Sequence, residues 1–336
     1  MQTNSSRIIY TVLFSLAILL GLSAWRNDKA RYVSTDLPGR IERDIVYGSN
    51  VNYQGRRESM AMDVYYPPNL SVGKKYPMVM LIHGGTFLNG KKEDMAALCR
   101  QMADSGFVAI TINYRLGWDY TTLGGGCATL DVNGLMLANY RAIQDAHAAM
   151  RFIAANADKY HVDKNWLFVG GGSAGAITAL NVAYNTDKKI LDESLAMTVA
   201  KLGSIDTASN AYTTKFKIKG ICDLWGALSD STLINKKTAL PTIFYHGTAD
   251  KLVPYDHGYY VPNCNRLHEL FGSACLYRQT RAAGQVAVFN TSVGGKHGPE
   301  EFTAAVIASN TACFFHKVMN GTAVSAAYYD AMTGCR

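Results

Sequence analysis

A serine hydroxyl attacks a carbonyl only when a base takes its proton, and that base works only when a third group fixes its tautomer. The chain offers all three residue types in the order Ser, Asp, His. Ser173 stands in Gly170-Gly171-Gly172-Ser173-Ala174-Gly175, between the apolar run 166–169 and the helix-compatible run 176–183. This spacing predicts a sharp strand-to-helix turn, with glycine at 171 and 175 because side chains two positions either side of the serine have no room. Such a turn pushes the hydroxyl out of the fold and leaves a helix N-terminus behind it. Asp250 lies in His246-Gly247-Thr248-Ala249-Asp250 after the apolar run 242–245, and His297 lies in Gly294-Gly295-Lys296-His297-Gly298 after the run 286–291. Both are expected in loops at the sheet edge that carries Ser173.

Each role has rivals. Asp223, Asp230 and Asp256 compete for the acid, Asp256 being the substitute if the loop threads differently. Of the eight histidines, only His297 is flanked by glycines after a late strand. His246 is expected to shape the turn holding Asp250, His147 and His316 fall at helical spacing, and His161, His257 and His268 have no catalytic neighbourhood. His83 opens His83-Gly84-Gly85-Thr86-Phe87 after the run 78–82. In acyl transfer the carbonyl oxygen gains negative charge, and one donor aimed at it is worth about 10²- to 10³-fold in rate. Glycines there let the backbone face the N–H groups of Gly84 and Gly85 toward a substrate, with the N–H of Ala174 as a further donor. The competing reading is a plain Gly-Gly turn.

These residues need a scaffold whose strands end at one edge. An antiparallel pair at 44–47 and 60–66 is followed by continuous apolar runs at 78–82, 108–113, 166–169, 218–222, 242–245 and 286–291, alternating with helical periods near 92–103, 135–157, after 173, 273–283 and 300–319. That pattern predicts an α/β fold: a mostly parallel central sheet covered on both faces, with antiparallel N-terminal edge strands and a minimal cap. Ligands in such sheets bind beyond the carboxyl ends of the strands. The long loop 117–134 follows such an end, which makes Trp118 and Tyr120 candidate substrate contacts; the other reading is a surface elaboration pinned by Cys127.

With 336 residues, 48% apolar and 18% charged, the chain has material for one large domain. The net charge of +7 comes without any block of five basic residues, which argues against a nucleic-acid partner. Seven cysteines occur, none as C-x-x-C, and neither metal nor organic cofactor is implied. Arg7 precedes an apolar run at 8–22 and then Ser23-Ala24, short for a bilayer span and right for a signal-peptide core. The expected organisation is a signal peptide at 1–24, an N-terminal arm at 25–43 and a catalytic domain at 44–336, exported to a secreted or periplasmic location; an uncleaved membrane anchor is the alternative. Export permits disulfides. Cys264 with Cys275 and Cys313 with Cys335 are plausible pairs, and Cys222 is the candidate free thiol.

Taken together, these segments resemble the α/β-hydrolase superfamily and, within it, the carboxylesterases and hormone-sensitive-lipase-like esterases. The likeness runs from about Asp44 to Met319 and includes Met62-Asp63-Val64-Tyr65-Tyr66-Pro67, Asn113-Tyr114-Arg115-Leu116, Arg141-Ala142-Ile143-Gln144-Asp145 and Trp225-Gly226-Ala227-Leu228. The resemblance implies an α/β-hydrolase fold with Ser173 as nucleophile, Asp250 as acid, His297 as base, and an oxyanion hole from Gly84, Gly85 and Ala174. It implies hydrolysis of short-chain, acetyl or aromatic acyl esters, small or polysaccharide-linked, with no stable membrane partner once the leader is removed. The family often has a third glycine where this chain has Thr86, which counts against bulky tertiary-alcohol esters. A serine peptidase of the prolyl-oligopeptidase type and a non-catalytic binding module on the same fold are the alternatives.

Overall fold

Strands that are apolar at every position feed two cores at once, because alternate side chains leave opposite faces of the sheet. In β3 (Tyr76–Ile82), Met78, Met80 and Ile82 enter one core cluster while Val79 and Leu81 enter the other. The computed structural model describes residues 40–330 apart from 72, 120–126, 128, 186–201, 261–263 and 265. The expected leader lies outside the described residues, as does most of the expected arm, although the first strand already begins at Ile41.

The elements in chain order are β1 (Ile41–Val51), β2 (Arg57–Tyr65), β3, α1 (Ala96–Asp104), β4 (Val108–Ile112), α2 (Val132–Ala155), β5 (Val162–Gly172), α3 (Ala174–Tyr184), β6 (Ile218–Leu224), β7 (Ala227–Leu228), β8 (Thr242–Gly247), β9 (His257–Tyr259), β10 (Glu269–Gly272), α4 (Ser273–Ala282), β11 (Ala287–Ser292), α5 (Ala304–Met319) and β12 (Ala326–Tyr329). The main sheet has nine strands in the order β1-β2-β4-β3-β5-β6-β8-β11-β12. Only β2 runs against the rest, pairing antiparallel with β1 and β4. Residues of α2, α3 and α4 join the first core cluster, and residues of α1 and α5 join the second. The sheet is therefore covered on both sides. Helix starts follow capping chemistry: the Asp131 carboxylate accepts from Gly134 N at the start of α2, and the Thr303 hydroxyl from Val306 N at the start of α5.

Every expected strand and helix of the main sheet is present, with boundaries moved by a few residues. What the sequence reading missed is β12 and a second sheet, β7-β10-β9. Their strands hold two to four residues, too few to show a period. No helix among the described residues is long and apolar enough to cross a membrane.

The expected Cys264–Cys275 pair is not formed. Cys264 bridges to Cys127 instead, across 137 positions of sequence, and Cys275 is free. Strand β10 stretches the chain between 264 and 275 by about 3.3 Å per residue and delivers Cys275 into α4, so no short loop closes the nearer pair. Cys222 is a free, buried thiol. Cys313 is disulfide-bonded, but the expected Cys313–Cys335 pair reaches outside the described residues.

Candidate active site

Strands β5, β6, β8 and β11 run parallel and in step, with Gly172 opposite Leu224, Leu224 opposite Tyr245 and His246 opposite Thr291. Their carboxyl ends thus form one edge. Ser173 follows β5 there with φ +57° and ψ −121°, a left-handed conformation that is rare for a residue with a side chain. Its N–H donates to Leu224 O at 2.9 Å and its carbonyl accepts from Ile177 N at 2.9 Å. The flanking glycines are a steric requirement. A Cβ on Gly171 would lie 2.5 Å from Ile82 O, and one on Gly175 would lie 2.5 Å from His83 O and closer still to Ile82 O.

Two loops from distant parts of the chain meet this hydroxyl. Ser173 Oγ lies 2.8 Å from His297 Nε2 and donates to it. On the far side of the ring, His297 Nδ1 donates to Asp250 Oδ2 at 2.7 Å. The Asp250 side chain is wholly buried, whereas the His297 side chain keeps one-fifth of its surface open. Burial alone would raise the Asp250 pKa, yet N–H groups from His246, His297 and Leu252 outweigh it and hold the carboxyl well below its ordinary range. A fixed anion on Nδ1 leaves the Nε2 lone pair aimed at the serine. That arrangement suits a base rather than a bystander.

Beside the serine runs the loop 83–90. A Cβ on Gly84 would lie 3.2 Å from Ser173 Cβ and 2.8 Å from Gly172 O, and Gly85 has φ +107°, so neither position tolerates a side chain. No backbone acceptor takes the N–H of Gly84, Gly85 or Ala174 among the described residues. Thr86 and Phe87 follow with φ +58° and +59°, two strained residues in succession. The loop after β4 holds them there. The Trp118 indole N–H donates to Thr86 O at 3.0 Å, Gly117 N to Phe87 O at 2.8 Å and the Tyr114 hydroxyl to His83 O at 2.9 Å. His83 stacks on Tyr114 with ring centroids 4.4 Å apart, and its Nδ1 donates to Gly84 O at 2.8 Å. Burial lowers its pKa, which keeps it neutral and structural.

The sequence-predicted residues thus divide clearly. Ser173, Asp250, His297, Gly84, Gly85 and Ala174 come together at one edge. Trp118, expected to touch substrate, is buried, at 3% exposure, with its one polar atom spent on the loop; Tyr120 lies outside the described residues. Among the rival acids, Asp230 caps a short 3₁₀ turn at Thr232, Asp256 pairs with Arg278, and Asp223 is buried behind Asp250. Trp225 was quoted only for its resemblance, yet its ring meets His297 edge-on with centroids 6.4 Å apart. Its φ of +47° is fixed by an N–H bond to Tyr245 O at 2.7 Å. Next to the loop lies a mainly apolar pocket of about 370 Å³, lined by Phe87, Ile177, Leu135, Met136, Leu233 and Leu270 among others. Ile177 is one helical turn beyond Ser173, although Ser173, Asp250 and His297 themselves do not line the pocket.

Residues 62–122 and 137–236 match the family model described as BD-FAE. Esterase LipQ of Mycobacterium tuberculosis is 25% identical over 197 residues, which are 57% of this chain and 39% of that protein. Among solved structures, the apo form of Thermogutta terrifontis esterase 2 superposes with a TM-score of 0.56 at 17% identity, covering 88% of this chain and 99% of that one. A truncated carbohydrate esterase from gut microbiota gives a TM-score of 0.55 at 19% identity, covering 87% and 98%. The chain spans between 19% and 49% of the length of the first curated relatives it matches. Strand order, the turn at Ser173 and these matches together define a class of architecture: the chain has the α/β-hydrolase fold and is similar to esterases built on it.

Proposed function

We propose that the protein is a serine carboxylic-ester hydrolase working through an acyl-enzyme. The observation that carries this reading is the continuous hydrogen-bond chain from Ser173 Oγ through His297 to Asp250, at 2.8 and 2.7 Å, beside amides that meet no backbone acceptor among the described residues. In the proposed mechanism His297 Nε2 takes the hydroxyl proton as Ser173 Oγ bonds to the ester carbonyl carbon, and the N–H groups of Gly84, Gly85 and Ala174 receive the developing oxyanion. Asp250 stabilises the imidazolium. Its proton then passes to the leaving alcohol, and a water molecule, deprotonated by the same imidazole, releases the acid and restores the serine.

The pocket beside Phe87 and Ile177 suits a short aliphatic or aromatic acyl group, since it is lined mainly by apolar side chains. Thermogutta terrifontis esterase 2 has been solved with propionate and with butyrate bound, and phosphorylated by paraoxon. One structural neighbour is a carbohydrate esterase, which supports a polysaccharide-linked ester as one substrate class. The apolar run at 8–22 supports export, to a secreted or periplasmic site. We assign Trp118 to holding the oxyanion loop rather than to substrate contact.

The test is Ser173→Ala assayed on p-nitrophenyl acetate, with an expected loss of about 10⁴-fold or more in kcat. Wild-type turnover in that variant overturns the reading. A panel of esters graded in acyl length, with feruloyl and acetylated-xylan members, then assigns the substrate.

A further inference from the structure

The catalytic carboxylate has a second imidazole behind it. His246, at the end of β8 and fully buried, places Nε2 3.1 Å from Asp250 Oδ2 and 3.2 Å from Val253 O. Its Nδ1 lies 2.7 Å from Ser273 Oγ, at the start of α4. Ser273 Oγ in turn lies 2.6 Å from Asp223 Oδ2, at the end of β6, and Asp223 Oδ1 accepts from Gly226 N at 3.0 Å. All three side chains are buried, at 0% exposure. Three elements of the fold and the loop carrying Asp250 therefore converge on one continuous polar chain running inward from the active site.

A proton count on this chain does not balance with ordinary charges. Three contacts each need a hydrogen: His246 Nε2 with Asp250, His246 Nδ1 with Ser273, and Ser273 with Asp223. A neutral imidazole supplies one and a hydroxyl supplies one. With both carboxylates ionised, either neutral tautomer leaves two acceptors facing each other. If Nε2 carries the proton, His246 Nδ1 and Asp223 Oδ2 compete for the one hydroxyl hydrogen of Ser273; if Nδ1 carries it, Nε2 faces Asp250 and the Val253 carbonyl with nothing to donate. Such a buried mismatch costs more than a missing surface bond. One additional proton resolves it in either of two places. On His246 it makes an imidazolium that donates both ways. On Asp223 it lets the acid donate to Ser273 and Ser273 donate to His246.

We propose that Asp223, Ser273 and His246 form a proton-holding relay that positions Asp250, so that the acid of the active site is gripped by His297 in front and by His246 behind. The proposal rests on the hydrolase reading above. The groups facing the relay are Asp250 and Tyr255 at His246, and Cys222 and Tyr184 at Asp223. Burial pushes Asp223 up to about 6, against the Ser273, His246 and Gly226 contacts that lower it. A carboxyl raised in the folded state lends its stability at low pH and loses it as pH rises through the folded value. His246 and Asp223 are positioning residues, since neither reaches a substrate.

Asp223→Asn isolates the proton. The amide is isosteric: its oxygen accepts from Gly226 N and its NH₂ donates to Ser273, whose hydroxyl then donates to His246 Nδ1. The relay is satisfied in that variant with no titrating proton. Melting temperature is measured for wild type and Asp223→Asn from about pH 4 to about pH 8, with kcat/KM on p-nitrophenyl acetate alongside. The expected result is that the variant gains on wild type as pH rises, and that the alkaline fall in wild-type kcat/KM moves up by about one pH unit or more. Ser273→Ala cuts the relay without replacing it and is expected to lower kcat about tenfold with KM unchanged. A melting difference flat across the range, with superimposable activity profiles, overturns the relay. If Asp223→Asn does not fold, ¹⁵N spectra of wild-type His246 decide: a pH-dependent Nδ1 shift over the same range supports the relay, and an invariant one overturns it. A wild-type protein inactive on every ester overturns the hydrolase reading instead, and the melting curves still report the proton.

Discussion

The turn that carries Ser173 and the pocket that holds Asp250 solve the same positioning problem by opposite means. At the turn, backbone sterics decide everything. Ser173 sits at φ +57° because Gly171 and Gly175 let β5 and α3 pass within contact distance of the carbonyls of Ile82 and His83. At Asp250 no backbone strain is involved, and the carboxylate is held by N–H groups from His297, His246, Leu252 and Val253. Steric control leaves a dense local pattern and fails abruptly. Polar control scatters its residues along the chain and fails by degrees.

That contrast can be broken by substitution. The largest effects belong to the reacting chain itself, beginning with the Ser173→Ala loss already given. Asp250→Asn should lower kcat by about 10⁴-fold, because an amide that donates to His297 Nδ1 selects the wrong tautomer, and the fold should persist since the Leu252 and Val253 amides still have Oδ1 to bond. Circular dichroism and pre-steady-state kinetics on p-nitrophenyl acetate check both halves. Gly175→Ala should do the reverse, losing the fold. A Cβ there overlaps two carbonyl oxygens, and the expected cost is about 3 kcal/mol or more, read as loss of the cooperative melting transition. If Gly175→Ala folds normally and only slows turnover, the steric account of the turn is wrong.

Smaller effects test the loop between these two extremes. Trp118→Phe keeps an aromatic ring, though a smaller one, and deletes the N–H that reaches Thr86 O at 3.0 Å. It should cost about 1 kcal/mol of positioning, seen as a fall of about fivefold in kcat with KM little changed. A rise in KM with kcat intact would return Trp118 to the substrate-binding role first expected of it. Smallest in activity is Cys264→Ser. The Cys127–Cys264 bridge closes a loop of 137 positions, and its loss should lower stability by about 2–4 kcal/mol in denaturant titration while leaving kcat within about twofold.

The same contrast explains what the sequence made legible. Ser173 was visible because a glycine-framed serine after an apolar run is a local pattern with a steric cause. The main sheet was visible because strands buried on both faces are apolar throughout. Asp250 and His297 were readable from their place after late strands, though only folding brings His297 within 2.8 Å of the serine and Asp250 within 2.7 Å of His297. The rest depends on contacts that leave no local trace. Trp118 was read from its loop, yet its indole turns inward to Thr86. The disulfide joins Cys127 to Cys264 over a distance that spacing cannot rank. Asp223 was weighed as a rival to Asp250, and the fold makes it a partner two side chains away. The strands β7, β9, β10 and β12 are too short to carry a period.

The measurement that bears most directly on the whole account is covalent labelling of the purified wild-type protein with a fluorophosphonate, followed by mass spectrometry of its peptides. One adduct on Ser173, absent in Ser173→Ala and strongly slowed in His297→Ala, is the expected result. Ester hydrolysis by a protein whose Ser173 stays unmodified, or an adduct on any other residue, would contradict it.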